Sequence, residues 1–318
     1  MSGLAAVPAS APGEPTPDAL RNPIRRYLLA TRPAFLTITL AGCLLGFALA
    51  PALHWGLAAL TLLLALLAHA GVNVLNDYYD HLNGTDAANT GRLFPFTGGS
   101  RFIQNQVLTP GQTLAYGLAL FAAVMAGGLW LMTQSGAGLF WIGLAGLAIG
   151  WAYSAPPLKL NSRGLGEACV AAGFLFIVAG SDYVQQGRFD GLPWIAGLPY
   201  ALLVTNVLYV NQFPDREADR LAGKWHWVVR LEPGVAARGY WLILFLAVAA
   251  LLAAVAAGVL PALALVSLVG VLPALKAGQL LAAHAAEPAR LVPAIRMTLL
   301  AAHLQPVILA GVLFWSGR

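Results

Sequence analysis

Two clusters of acidic and amide residues stand out in a chain that is otherwise poor in charge. The first reads Asn73-Val-Leu-Asn76-Asp77-Tyr78-Tyr79-Asp80 and continues to Gly84-Thr85-Asp86. The second reads Asn211-Gln-Phe-Pro-Asp215-Arg216-Glu217-Ala-Asp219 and continues to Gly223-Lys224. Asn76 and Asp80 are one helical turn apart, as are Asn211, Asp215 and Asp219, so each set shares a helix face. Asp77 adjoins the first set and can reach the same space, whereas Glu217 lies off the Asp215/Asp219 face. Of the 13 acidic residues, these two segments hold Asp77, Asp80, Asp86, Asp215, Glu217 and Asp219. Carboxylates gathered this way repel one another unless something cationic joins them. Mg2+ can join them, because it is a hard ion that takes oxygen ligands, keeps waters and is normally completed by substrate phosphates. The expected ligands are Asn76, Asp77, Asp80, Asp86, Asn211, Asp215 and Asp219. Asp77, Asp80, Asp215 and Asp219 are the expected catalytic acids, and a leaving diphosphate is the group such a site would hold.

Basic and aromatic neighbours extend this reading. Arg92, Arg101, Lys159 and Lys224 stand near the two clusters and are candidates to neutralise diphosphate oxygens. Asn73, one turn before Asp77, is expected to point inward with Asn76 and Asn211. Tyr153 could steady a developing cation through its ring face or hydrogen-bond a second substrate. Glu167 should face protein or the cavity, with Lys159 and Arg163 as its expected partners. Cys43 and Cys169 lie in apolar stretches with no metal-ligand spacing and read as small buried hydrophobes. The histidines show no zinc spacing. His69 and His303 read as structural, and His81 and His226 border the acidic segments.

The elements that must position these residues are membrane spans. Hydrophobic residues make up 59% of the 318-residue chain before its 34 glycines are counted, and charged residues only 10%. A soluble domain carries about 25% charged residues and could not hide so much apolar surface. The mean hydropathy of +0.73 agrees. The chain is therefore an integral membrane protein. A net charge of +5 forms no basic stripe that could track nucleic acid. Apolar stretches fall at about 34–53, 55–75, 112–133, 137–154, 165–182, 192–211, 239–258, 260–276 and 294–314, which makes nine expected spans near the length a bilayer demands. The pattern is helical rather than barrel-like. With nine spans, all of the 18 basic residues except Arg188 and Arg318 fall on the N-terminal side. That places the N-terminus and both acidic segments in the cytoplasm and the C-terminus outside. Residues 1–22 are expected to be a disordered cytoplasmic tail and 23–318 a single transmembrane domain.

On these motifs the sequence resembles the UbiA superfamily of membrane prenyltransferases over roughly residues 23–315. Asn76-Asp77-Tyr78-Tyr79-Asp80 with Gly84-Thr85-Asp86 resembles the first aspartate motif of that family in its menaquinone-type form. Asn211-x-x-x-Asp215-x-x-x-Asp219 with Gly223-Lys224 resembles the second. Arg32-Pro33 at the entry to the first span also resembles a family feature. The resemblance implies an all-α fold of nine transmembrane helices around a central cavity, with a lateral opening for a lipid tail. It implies Mg2+-dependent transfer of a polyprenyl group from a polyprenyl diphosphate to an acceptor, commonly aromatic. A bacterial inner membrane is the location that goes with such a function.

Tyr153-Ser154-Ala-Pro156-Pro157-Leu158-Lys159, then Gly164-Leu165-Gly166-Glu167, resembles the 1,4-dihydroxy-2-naphthoate polyprenyltransferase branch. The 4-hydroxybenzoate branch would more typically show Lys-Arg-x-Thr where Leu158-Lys159-Leu160-Asn161 stands. His226-Trp227 takes the place of small residues. Other acceptors within the family are 4-hydroxybenzoate, homogentisate, haem and a lipid phosphate, and a polytopic transporter is the alternative of a different class. Acids at cytoplasmic helix ends, rather than at mid-membrane breaks, favour the enzyme. Gly- and Ala-rich helices pack within one subunit as readily as between two, so oligomeric state is left open.

Overall fold

The computed structural model of the protein describes residues 13–316. Helices account for all the regular structure there: α1 (Pro23–Ala30), α2 (Pro33–Leu49), α3 (Trp55–Leu82), α4 (Thr85–Ala88), α5 (Pro110–Ser135), α6 (Leu139–Ser154), α7 (Gly166–Gln186), α8 (Leu192–Leu221), α9 (Trp227–Arg230), α10 (Pro233–Ala256), α11 (Leu272–His284) and α12 (Val292–Trp315), with short 3-10 segments between some of them. Proline at the first or second helical position opens α1, α2, α5, α8, α10, α11 and α12. That is where its missing N–H costs nothing and its fixed φ favours the helix. Thr109 and Gln112 form a reciprocal capping box that fixes the start of α5.

Seven of the nine expected spans form segments long and apolar enough to cross a bilayer. An eighth arises if α1 and α2, bent 63° at Thr31–Arg32, are one broken span, and the ninth expected stretch is α6, a helix of only 16 residues. The eighth expected span also differs from expectation. Ala262–Val271 is wound as a 3-10 helix before α11 continues to His284, so this span runs well beyond residue 276. Its tighter winding lets Gly270 lie directly on the backbone of α12 at Gln305.

The buried core lies on one side of the molecule, among α2, α8, α10, the Ala262–Val271 segment, α11 and α12, with Leu45, Tyr200, Leu251, Leu281 and Leu309 at its centre. On the other side α3, α5, α6 and α7 enclose a cavity against α2 and α8. α3 and α8 continue as unbroken helices past their expected ends, to Leu82 and Leu221. Asp77 and Asp80, and Asp215 and Asp219, therefore stand in the last turns of long helices, whose positions hold a side chain more precisely than a loop does, whereas Asp86 lies in the short α4. Pro214 does not interrupt α8 even though it removes one ladder hydrogen bond.

Within the segment expected to be disordered through residue 22, residues 14–20 pack mainly against the loop before α5. Glu14 is buried, and Leu20 packs with Ala30, Phe102, Val107 and Leu108. The apolar Leu20 and the buried acid give this segment partners that its Pro- and Ala-rich composition conceals. The remainder of that tail, residues 1–12, lies outside the described residues.

Tyr200 joins α8 to α2: its ring lies against Gly42 and its hydroxyl donates to the Ile38 carbonyl at 2.8 Å. Tyr200→Ala is expected to lower unfolding stability in detergent by about 3–5 kcal/mol, the usual cost of emptying an aromatic core site. Tyr200→Phe should cost only about 1 kcal/mol, the worth of the hydrogen bond. Equal losses for both, measured by thermal or denaturant unfolding, would show that packing against Gly42 is not what anchors α2.

Candidate active site

The cavity has a volume of about 620 Å³. At one end it is polar, lined by Asn73, Asn76, Asp80, Asp86, Asn211, Asp215, Asp219 and Lys224, so it brings together both acidic segments. From there it runs between apolar walls to Thr61, Leu64, Leu139 and Ile142. From Asp80 to Thr61 the lining follows α3 for about 28 Å at the helical rise of about 1.5 Å per residue. The wall includes Met125 and Leu129 of α5 and Phe140 and Leu144 of α6, all of which are also exposed on the outer surface. The shaft therefore opens sideways between these two helices.

The two acidic segments are joined by a lysine. The Lys224 ammonium lies 2.8 Å from an Asp80 oxygen and 3.3 Å from an Asp219 oxygen, with all three side chains nearly buried. Burial alone would lower the Lys224 pKa, but Asp80 and Asp219 more than reverse this and hold it well above the ordinary lysine value. Asp219 is also bonded to His226 Nε2 at 3.0 Å. The main-chain turn at Gly223 allows this reach, since φ of +76° there swings Lys224 back over the end of α8.

The loop between α4 and α5 supplies most of the remaining partners. Asn89 donates to Asp215 Oδ1 at 2.6 Å and the Gly98 N–H to Oδ2 at 3.3 Å. The Ser100 N–H donates to Asp77 at 3.2 Å. Gly99 has φ of +72°, and a Cβ there would lie 2.8–3.0 Å from oxygens of Asp86 and Asp77. A glycine is thus required for the loop to approach the carboxylates so closely. Gln104 donates to Asp86 Oδ2 at 3.3 Å, and Arg101 donates to the Asp86 main-chain carbonyl. Burial, with Asp80 and Asp77 nearby, pushes the Asp86 carboxyl well above the usual carboxylate range.

Three expected phosphate contacts lie elsewhere. Arg92 pairs with Glu14, Arg101 is buried beneath the loop, and Lys159 is exposed at the surface; none of them lines the cavity. Asp77 is likewise behind the wall, held by the loop amide. Asn73 donates to the Thr31 carbonyl at 3.0 Å and Asn76 to Ser154 Oγ at 2.9 Å, while Tyr153 lines the cavity beside them. Glu167 takes Gln212 as its partner at 3.0 Å, not Lys159 or Arg163. His69 lines the shaft and pairs with Thr39 at 2.8 Å. His303 pairs with Thr37 at 2.9 Å. Arg32, Asn89, Thr97, Gly98 and Gly99 also line the polar end, although the motif spacing does not point to them. Arg32 Cζ stands 4.7 Å from the Phe35 ring centroid, and its guanidinium donates to the Phe96 carbonyl at 3.2 Å. Arg32 is marked by its Arg-Pro context, and the other four lie in a loop with no helical spacing.

The donor set at the polar end fits Mg2+. Every cavity-facing ligand candidate offers oxygen, and Asn211 Oδ1 is buried without a partner. No three Asp, Glu, His or Cys side chains among the described residues converge tightly enough to cage an ion by themselves. That also suits Mg2+, which is commonly held by one or two carboxylates and completed by phosphate and water.

Two facing acid clusters thus stand at the head of an apolar, laterally open shaft in a helical membrane protein. The chain belongs to the UbiA prenyltransferase family, whose model matches residues 35–300. It is thus an enzyme of the prenyl-transferring type rather than a transporter. A 1,4-dihydroxy-2-naphthoate octaprenyltransferase of Mycobacterium leprae is 28% identical over 210 residues, 65% of this chain and 69% of that protein. The Bacillus subtilis protein of the same name is 29% identical over 201 residues, 61% of this chain and 62% of its own length. A 2-carboxy-1,4-naphthoquinone phytyltransferase of Synechocystis is 27% identical over 214 residues, 64% of this chain and 66% of its own. Among solved structures, a UbiA homolog from Archaeoglobus fulgidus bound to DMAPP and Mg2+ aligns with a TM-score of 0.57 at 17% identity, covering 89% of this chain and 99% of that one. At this identity the likeness is one of fold.

Replacing Lys224 with Met should leave Asp80 and Asp219 buried and uncompensated. Removing one partner from such a pair typically costs about 3–5 kcal/mol. The variant is expected to unfold at a markedly lower temperature than wild type in chelator, and to recover more than wild type does when Mg2+ is added. Equal unfolding temperatures in chelator would mean that the lysine does not hold the two segments together.

Proposed function

We propose that the protein transfers a polyprenyl group from a polyprenyl diphosphate to an aromatic acceptor, 1,4-dihydroxy-2-naphthoate, releasing diphosphate. The observation that carries this reading is the joining of a polar, acid- and lysine-lined chamber to an apolar shaft that opens laterally towards lipid. A diphosphate head and a prenyl tail need those two environments side by side. The acceptor is supported by the naphthoate-related names of the bacterial relatives and by the segment from Tyr153 to Glu167. The placement is a bacterial inner membrane, with the N-terminus and the chamber cytoplasmic and the C-terminus outside, as the distribution of basic residues supports.

Asp80, Asp86, Asp215 and Asp219, with Asn76 and Asn211, would hold Mg2+. When bound, Mg2+ draws charge from the diphosphate oxygens and so eases departure of the leaving group. Lys224 sets a further positive charge against that group. The allylic C1–O bond breaks with its electron pair leaving on the diphosphate, and a ring carbon of the acceptor attacks C1. Loss of a proton, or of CO2 from a carboxylated ring position, restores aromaticity. The apolar walls keep water from the cationic carbon, and the Tyr153 ring lines the chamber where that charge develops. No covalent enzyme intermediate is needed.

Purified protein offered polyprenyl diphosphates and a panel of aromatic acceptors should form prenylated 1,4-dihydroxy-2-naphthoate, identified by mass spectrometry, and only with Mg2+ present. Asp215→Ala should lower turnover by at least about a hundredfold, the scale of losing transition-state charge stabilisation, without unfolding the protein. Full turnover in excess chelator, or a product only from a different acceptor, would overturn the corresponding half of the reading.

A further inference from the structure

We propose that Glu14 is a positioning residue for the chamber: acting through Arg92, it sets the hydrogen bonds that the Asp215 carboxylate accepts from Asn89 and from the Gly98 N–H. This rests on the reading of Asp215 as part of the diphosphate site. Glu14 lies upstream of the residues matched by the family model, so the function assigned by that match does not reach it.

The contacts form a continuous chain. One Glu14 oxygen accepts from Arg92 Nε, and the other accepts from Asn105 Nδ2 at 3.1 Å. Asn105 also donates to the Pro15 carbonyl at 2.9 Å. A single carboxylate thus staples together two points of the loop that carries the amide donors. The Glu14 side chain is 0% exposed and that of Arg92 5%, so neither can exchange its partner for water without moving.

Arg92 acts on Asp215 by two routes. Its Nη1 donates to the Asn89 carbonyl at 3.0 Å, and the Asn89 side chain donates to Asp215 Oδ1. Its aliphatic stem lies under Gly98, where an added Cβ would come 2.6 Å from Arg92 Cβ, and the Gly98 N–H donates to Asp215 Oδ2. One side chain therefore supports the donors to both oxygens. Arg101 is close enough to feel the charges of both Arg92 and Glu14. Without Glu14, Arg92 would lose its carboxylate partner while still facing Arg101, which Asp86 and Asp77 also face, and would be free to turn outward from beneath Gly98.

The consequence is specific. Loss of Glu14 should loosen the loop and disturb the diphosphate end, while the helices and the shaft keep their packing. The test uses Glu14→Ala and Glu14→Gln in the full-length protein, with geranyl diphosphate and Mg2+ as the probe. Glu14→Ala should weaken geranyl diphosphate binding about tenfold, the scale of a lost charge-assisted hydrogen bond, and leave the acceptor KM unchanged. Amide hydrogen exchange should quicken in residues 89–105 and stay unchanged in α3, α5 and α8. Glu14→Gln should recover part of the affinity, because its carbonyl still accepts a hydrogen bond from Arg92 or Asn105.

Unchanged exchange in residues 89–105 of Glu14→Ala overturns the proposal. So does faster exchange spread across α3 and α8, since the role would then be general stability. A wild-type protein that fails to bind geranyl diphosphate contradicts the diphosphate reading instead. In that event, quickened exchange confined to residues 89–105 still supports the action of Glu14 on the loop.

Discussion

The arrangement of this protein depends on keeping several carboxylates together at the end of a membrane bundle. Asp80 lies near the end of one helix and Asp219 near the end of another, and a cation between them offsets the repulsion of their carboxylates. Lys224 supplies that cation from the turn after α8, reaching both carboxylates at once. The same positive charge is what a diphosphate would meet on entering the chamber. On the proposed function, one ammonium group would both hold the bundle closed and receive an anionic head. Charges of this kind are costly inside a membrane protein, and their retention at the head of the cavity is best explained by chemistry.

The loop before α5 completes the chamber by a different device. It carries few side chains to the acids and instead presents main-chain N–H groups at Gly98 and Ser100, which glycine at 98 and 99 brings close enough to bond. Such donors hold a carboxylate in one orientation without adding a formal charge. Asp215 accepts on both oxygens in this way, from Asn89 and from the Gly98 N–H. Beyond the loop the walls become apolar, so a lipid-tailed substrate would pass from a charged environment to a hydrocarbon one within a single cavity. The exposed Met125, Leu129, Phe140 and Leu144 at its side give the tail a route from the bilayer.

Much of this was legible in the sequence because charge is scarce. In a chain with 10% charged residues, the spacing of Asn76 and Asp80, and of Asn211, Asp215 and Asp219, reads directly as helix faces. α3 and α8 extend those faces into the chamber as the spacing implies. The loop was not legible in the same way. Arg92, Arg101 and Lys159 all carry suitable charge, but their directions depend on local turns: Arg101 and Lys159 both adopt positive φ, one turned beneath the loop and the other out to the surface. Asn89 belongs to no helical frame that would tie it to Asp215. Glu14 lies in a Pro- and Ala-rich stretch that gives it no helical frame, and its partners Arg92 and Asn105 are far away in sequence. The bend between α1 and α2 falls at Arg32-Pro33, where Arg32 is left-handed and the proline opens α2, and a hydropathy window averages across it.

The most direct test of the central claim is a structure of the protein with Mn2+ and a non-reactive thiolo analogue of a prenyl diphosphate, with the metal located by its anomalous scattering. The account predicts metal signal between the diphosphate and the Asp80/Asp86 and Asp215/Asp219 carboxylates, Lys224 drawn from Asp80 towards a phosphate oxygen, and the tail lying along α3 towards Thr61. A diphosphate bound outside the chamber, or metal that ignores both acidic segments while Lys224 keeps its two carboxylates, would contradict it.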